Sequence, residues 1–347
     1  MSIFFDPNDI SIANGNYFAL PYTPQDSDLV LLSVPWDVTT SYGEGTSLAP
    51  DAIIAASEQI DLYDFHGETI YERGIGTLPI EENTIEISSY LRKDAKKVIT
   101  ALSEGVCPSH ESIHKRTSKI NIASEELNNS VYQTSTEWIK KGKIVGLVGG
   151  DHSTPLGLFK AVCENYENVG ILHIDAHADL REAYEGFKYS HASIMYNALN
   201  ETPQLTKLVQ VGIRDFCEQE IELIKSNDKI ETFFDLAIAE KKASGITWIE
   251  ICKNIIEKLP QNVHISFDID GLTPDNCPST GTPVPGGLSF NEAVILIHEL
   301  VKSGRKIVGF DLTEVTPCEE NEWDANVGAR MLYKLCNMTL LSNKGDD

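Results

Sequence analysis

The feature that most restricts the fold is a series of short apolar runs with little polar alternation. They lie at 29–35 (LVLLSVP), 144–148 (IVGLV), 169–175 (VGILHID), 208–212, 230–234, 263–270 and 307–312. A strand with one face in water alternates apolar and polar residues. Runs of Val, Ile and Leu without that alternation are buried on both faces, as in a parallel sheet covered by helices. Helical patterns fill the gaps, at 88–102, 118–140, 221–226, 247–259 and 290–303, and another helix starts near residue 50. Ser289 and Glu292 form a capping box at the start of the 290–303 helix. This alternation predicts one three-layer α/β domain over 1–347. Within it, 1–25 reads as an N-terminal extension and 82–140 as a longer helical and loop region. Pro108 and its polar neighbours make 105–117 (GVCPSHESIHKRT) an expected surface loop, with His110 and His114 solvated rather than a metal pair.

Charge narrows the partners. There are 52 acidic residues against 28 basic ones, a net charge of −24. That argues against nucleic acid and anionic membrane, which require a basic face. It is compatible with metal ions or a small cationic substrate. No apolar run approaches the roughly 18 residues of a membrane helix. The start, MSIFFDPNDI, lacks the basic and apolar regions of a signal peptide. Seven cysteines without a C-x-x-C pair suggest reduced thiols and a cytoplasmic location.

Chemistry collects where strands end. Four runs finish in GGDHS (149–153), HIDAHAD (173–179), SFDID (266–270) and GFDLTE (309–314). In open parallel sheets, ligands sit at the carboxyl ends of strands. Alternate residues of an extended segment point the same way, so Asp175, His177 and Asp179 converge, as do Asp268 and Asp270. His152 follows a glycine turn. A single Asp here is an ordinary turn residue, whereas six ligand-type side chains at one sheet edge are not. Four crowded carboxylates repel one another, and two divalent cations remove the conflict. Mixed carboxylate and imidazole donors suit Mn²⁺, with other first-row metals possible. Shared carboxylates would hold two ions roughly 3.5–4 Å apart.

The motifs GGDHS, DAHAD, SFDIDGL and TGTPVPGG, with VPWDVTTSYGEGTSLAPDAI at 34–53, resemble the arginase and agmatinase superfamily of ureohydrolases. The resemblance covers nearly the whole chain and is strongest to agmatinases. It implies a three-layer α/β/α fold around a mostly parallel eight-stranded sheet, and a homotrimer or homohexamer. It implies two Mn²⁺ ions per subunit, one on His152, Asp175, Asp179 and Asp268, the other on Asp175, His177, Asp268 and Asp270. It further implies hydrolysis of a guanidino group by a metal-activated hydroxide oriented by Asp179. Glu314, in DLTEVTP, would hold the guanidinium, with Asp311 in support. His191, in YSHAS, would carry a proton to the leaving amine. His173 and His264 read as supporting or core residues, and His66 and His298 have no functional context. Cys277 and Cys318 lack a base partner and read as structural.

Substrate choice is expected to lie in 180–191 (LREAYEGFKYSH), where Arg181, Phe187 and Tyr189 replace the polar set of arginases. This disfavours arginine and favours agmatine, a small cationic guanidino compound. Glu182 and Glu185 suit its second charge. Arg181 and Lys188 suit instead a carboxylate, as in guanidinobutyrate or formiminoglutamate; guanidine and arginine are further alternatives within the family. Ala49, Ile54 and Thr273 depart from residues frequent in the family, away from the metal set. A lapsed enzyme acting as a metabolite-binding or assembly subunit would lack one of these side chains. A two-metal phosphoesterase would want basic groups at the site.

Overall fold

The computed structural model describes residues 5–344. Residues 1–4 of the expected N-terminal extension, and 345–347, lie outside the described residues. Eight strands form one sheet: β1 (Leu29–Val34), β2 (Ile75–Thr77), β3 (Ile144–Gly149), β4 (Val169–Ile174), β5 (Leu205–Ile213), β6 (Ile230–Phe234), β7 (Asn262–Asp268) and β8 (Lys306–Thr313). Their spatial order is β2-β1-β3-β8-β7-β4-β5-β6. Every pairing is parallel, so the sheet is wholly rather than mostly parallel.

Ten α-helices connect the strands among the described residues: α1 (Ala49–Ser57), α2 (Glu82–Ser103), α3 (Glu111–Lys140), α4 (Leu156–Asn165), α5 (Ile194–Glu201), α6 (Glu218–Ser226), α7 (Asp235–Ala243), α8 (Trp248–Ile256), α9 (Phe290–Lys302) and α10 (Trp323–Ser342). Both sheet faces are buried. Leu29, Leu31, Val263 and Ile265 pack with α1, α8, α9 and α10. Val30, Val145, Val169 and Ile171 pack with α2, α3, α4 and α5 on the other side. This explains the absence of polar alternation in the strands. None of these helices is long and apolar enough to cross a membrane.

Further readings of the sequence are corrected. The strand β2 has only three residues, too short to register as an apolar run. The 105–117 loop is shorter than expected: α3 begins at Glu111, with His110 as its N-cap accepting the Ser112 amide. Pro108 precedes the cap and interrupts nothing. The 82–140 region is therefore two long helices, and α2 starts at Glu82 rather than 88. The helices α4, α5, α7 and α10 match none of the helical stretches expected from the sequence; α10 is the longest of them. It is nearly all buried against β8, α1 and α9, so it lacks a polar stripe to mark its period.

A candidate metal centre at the sheet edge

The fold brings the four motif-bearing strands together. β3, β8, β7 and β4 are consecutive neighbours in the centre of the sheet. The chain runs outward from β1 through β2, returns to β3, and leaves a gap that β7 and β8 later fill. GGDHS, DLTE, DID and DAHAD therefore meet at one carboxyl edge.

Glycine delivers the first imidazole. Gly150 donates to Val34 O at 2.9 Å, and the Asp151 amide donates to Trp36 O at 2.8 Å. A Cβ on Gly150 would lie 2.0 Å from Trp36 O, so only glycine permits this approach. His152 follows, fully buried. Its Nε2 lies 2.8 Å from Ser266 Oγ, and Ser266 donates onward to Asp311 Oδ1 at 2.9 Å. Nε2 is therefore a protonated nitrogen, and in the neutral ring Nδ1 carries the lone pair. Nδ1 makes no hydrogen bond. It stands 3.0 Å from Asp175 Oδ2, 3.2 Å from Asp179 Oδ2 and 3.2 Å from Asp268 Oδ2.

A second cluster adjoins it. His177 Nδ1 lies 3.1 Å from Asp270 Oδ2 and 3.5 Å from Asp175 Oδ1. Backbone amides fix the carboxylates: Ala176 N donates to Asp270, His177 N to Asp175 and Asp270 N to Asp268. Asp179 has a left-handed backbone (φ 53°), and its carbonyl accepts the Met195 and Tyr196 amides at the start of α5. The six side chains predicted as ligands are thus in one place.

A buried polar row supports them. Asp311, Ser266, His173 and Gln210 stand in register across β8, β7, β4 and β5. His173 Nε2 reaches Asp175 Oδ2 at 2.7 Å, and the Gln210 amide donates to His173 Nδ1 at 3.0 Å. His264 Nε2 bonds Asp311 Oδ2 at 2.7 Å. Gln210 went unnoticed in the sequence, where it is one polar residue in an apolar strand.

Electrostatics show the crowding. Burial, reinforced by the Asp175 charge, lifts the Asp179 carboxyl to about 6. Burial and the charges of Asp270 and Asp175 raise Asp268 far above the usual carboxylate range. Burial alone would discharge His152; Asp175, Asp179 and Asp268 outweigh it and raise the imidazole well above its ordinary value, so without a cation these carboxylates draw a proton to Nδ1, the position a metal ion would take in its place. Such a site is short of positive charge. A hydrogen-bond-free imidazole lone pair among carboxylate oxygens fits divalent cations.

A cleft of about 150 Å³ opens beside this cluster. Ser41, His177, Asp179, Arg181, Tyr184, His191, Asp215, Phe216 and Thr282 contribute to its lining. His191 stands edge-on to Tyr184, and burial followed by the His177 and His152 charges pushes its pKa down to about 3. Glu314 is buried and does not contribute to the lining. Its backbone is left-handed (φ 62°), and its Oε1 accepts the His152 amide at 2.8 Å. Ser41 lies in the VPWDVTTSYGEG motif and Thr282 in TGTPVPGG. Asp215 follows β5, a position only strand-end reasoning marks.

The 180–191 loop is less engaged than its charges suggested. Arg181 reaches the cleft, its guanidinium 4.9 Å above the Tyr184 ring. Lys188 turns away to Glu201 at 2.7 Å. Phe187 and Tyr189 are buried in the core. Glu182 and Glu185 do not contribute to the lining. His66 and His298 stack on each other 3.6 Å apart.

The arginase family model matches residues 27–337. An N(1)-aminopropylagmatine ureohydrolase of Thermus thermophilus is 30% identical over 299 residues, 86% of this chain and 85% of that one. An agmatinase of Bacillus subtilis is 26% identical, covering 90% and 91%. Proclavaminate amidinohydrolase from Streptomyces clavuligerus superposes with a TM-score of 0.73 at 22% identity, over 97% of this chain and 100% of that one. The match spans the strand-end motifs and the sheet that unites them, and this chain belongs to the arginase family.

Proposed function

We propose that the chain is a binuclear metal hydrolase that cleaves a guanidino group to urea and an amine, with agmatine as substrate and putrescine as product. The observation that carries this is His152 Nδ1, buried without a hydrogen-bond partner 3.0–3.2 Å from three carboxylate oxygens. In this reading His152, Asp175, Asp179 and Asp268 hold one ion. Asp175, His177, Asp268 and Asp270 hold the other, with Asp175 and Asp268 shared. The donor set suits Mn²⁺. When bound, the two ions offset four aspartate charges and lower the pKa of a water toward neutrality.

The chain's own residues then bind, orient and move protons. Asp179 accepts a hydrogen bond from the attacking water and aims it at the guanidinium carbon. Glu314 has Oε1 committed to the His152 amide, leaving Oε2 for a charge-assisted bond to the substrate. His191, neutral within the cleft, relays to the leaving amine a proton given up by the attacking water, accepting at one ring nitrogen as it donates from the other.

Two observations support agmatine. Lys188, a possible carboxylate anchor, is committed to Glu201. Asp215 places a carboxylate in the lining, where a distal ammonium would sit. The relative named agmatinase points the same way, and the one named N(1)-aminopropylagmatine ureohydrolase points more broadly to a cationic guanidino substrate. Arg181 in the lining favours a second reading, a guanidino acid such as guanidinobutyrate.

The test is urea release from Mn²⁺-loaded protein with agmatine, N(1)-aminopropylagmatine, guanidinobutyrate, arginine and guanidine in parallel. Formiminoglutamate is followed through formamide. Turnover of agmatine is the expected result. Turnover of guanidinobutyrate alone moves specificity to Arg181. No turnover with two ions bound per chain overturns the proposal.

A further inference from the structure

The helix α2 carries none of the motifs, yet one of its faces grips a segment that reaches the cleft. Ser88, Arg92 and Lys96 recur at intervals of four and share a helical face. All three touch one segment, 37–44. The Ser88 hydroxyl meets Asp37 Oδ1 at 3.4 Å. Arg92 donates from one terminal nitrogen to Val38 O at 3.0 Å and Thr40 O at 2.6 Å, and from Nε to Glu44 Oε2 at 3.3 Å. Lys96 reaches Glu44 at 2.7 Å. Arg92 is buried, and Glu44 half-exposed.

The segment it grips forms a wall of the cleft. Ser41 contributes to the lining. Gly43 donates to Gly281 O at 3.2 Å, and a Cβ on Gly43 would lie 2.6 Å from Gly281 Cα. Gly281 in turn sits against Glu314, the group assigned above to the guanidinium. Asp37 Oδ2 ties the far end by accepting the Gly45 amide at 3.0 Å. Near Arg92, Glu185 has a buried Oε2 without a hydrogen-bond partner, and it feels the Arg92 charge.

We propose that Arg92 is a positioning residue for guanidino hydrolysis: it clamps 38–44 from behind and so holds Ser41 and the Gly43–Gly281 contact beside the substrate. The proposal rests on the cleft being the site of the hydrolysis proposed above. Its basis is the fork of the guanidinium. One planar group serves two backbone carbonyls and a carboxylate, which a lysine ammonium cannot reproduce in the same geometry. Without it, the carbonyls of Val38 and Thr40 lose their partner beneath the wall. Arg92 touches no reacting atom and no predicted metal ligand.

The experiment compares metal-loaded wild type with Arg92→Met and Arg92→Lys. It reads hydrogen–deuterium exchange of the 36–48 peptide, metal content per chain, KM and kcat. Arg92→Met is expected to speed exchange in 36–48 about tenfold while leaving the sheet protected. It should raise KM about tenfold, with kcat within about threefold and metal content unchanged. Arg92→Lys should recover part of both effects. Should Arg92→Met fail to fold, Glu44→Gln, at a half-exposed position, is expected to shift exchange and KM the same way by about threefold. Unchanged exchange at 36–48 overturns the proposal, and so does faster exchange with an unaltered KM. If wild type hydrolyses no guanidino compound, the functional reading fails by itself, while the exchange comparison still decides whether Arg92 holds the wall.

Discussion

Ser266 Oγ lies 2.8 Å from His152 Nε2 and donates its own hydrogen bond to Asp311. The serine thereby selects the tautomer of the histidine, and the lone pair on Nδ1 follows from it. Partners of this kind are typically worth 10–100-fold in metal affinity. Ser266→Ala is expected to weaken Mn²⁺ binding by about tenfold, read by competition with a chelator of known affinity. Unchanged affinity would refute the tautomer argument.

Metal removal should destabilise the fold as well as stop catalysis. Asp175, Asp179, Asp268 and Asp270 are all buried at one sheet edge. Re-adding Mn²⁺ to chelator-treated protein at about 100 times its Kd should stabilise it by about 3 kcal/mol. The check is a thermal melt with and without the ion; Mg²⁺, which prefers oxygen ligands, should raise Tm less.

Gly150→Ala should be severe. Its Cβ would meet the Trp36 carbonyl oxygen at 2.0 Å and the Trp36 backbone nitrogen at 2.8 Å, with no flexible side chain to give way. A loss of about 3 kcal/mol or more is expected from overpacking, together with loss of metal, because His152 lies two residues on. Denaturant unfolding and metal analysis of the same sample decide it.

Substrate preference should divide between two side chains lining the cleft. Asp215→Asn is expected to raise KM for agmatine about tenfold with little change in kcat, since a distal ammonium contact acts on binding. Arg181→Ala should leave agmatine turnover nearly unchanged. The reverse pattern, read from steady-state kinetics on agmatine and guanidinobutyrate, would identify the guanidino acid.

Acid stability should depend on Asp64. Burial alone would raise its pKa, but the Lys334 ammonium and the amides of Gly67 and His66 outweigh it and hold the carboxyl below its usual range. A group depressed in the folded state contributes stability above its unfolded pKa of about 4, and that contribution is lost as pH falls through the folded value. Lys334→Met should cost about 3 kcal/mol at pH 7 by leaving a buried charge. It should also flatten the fall in stability below pH 4. Urea unfolding from pH 3 to 7 tests both.

Much of the site could be read from one strand at a time. Asp175 and His177 sit two apart on an extended segment, and Asp268 and Asp270 repeat the spacing, so convergence follows from the pleat. Gln210 and Ser266 could not be read this way. Each is an unremarkable polar residue until β5, β4, β7 and β8 are set in register. Arg92 is harder still: its meaning depends on α2 packing across a segment some fifty residues away. The loop charges mislead for the same reason. Lys188 looks like a carboxylate anchor in the sequence, but Glu201 on α5 claims it.

By itself, the sequence determined the sheet and its chemistry. Doubly buried strands need unbroken Val, Ile and Leu, and strand-end motifs need their spacing, so both are written locally. Tertiary structure decided which strands are neighbours and which nitrogen of His152 is free. It also decided which charges of the 180–191 loop reach the cleft. Those outcomes depend on partners distant in the chain, and a side chain's protonation and direction are set by what packs against it.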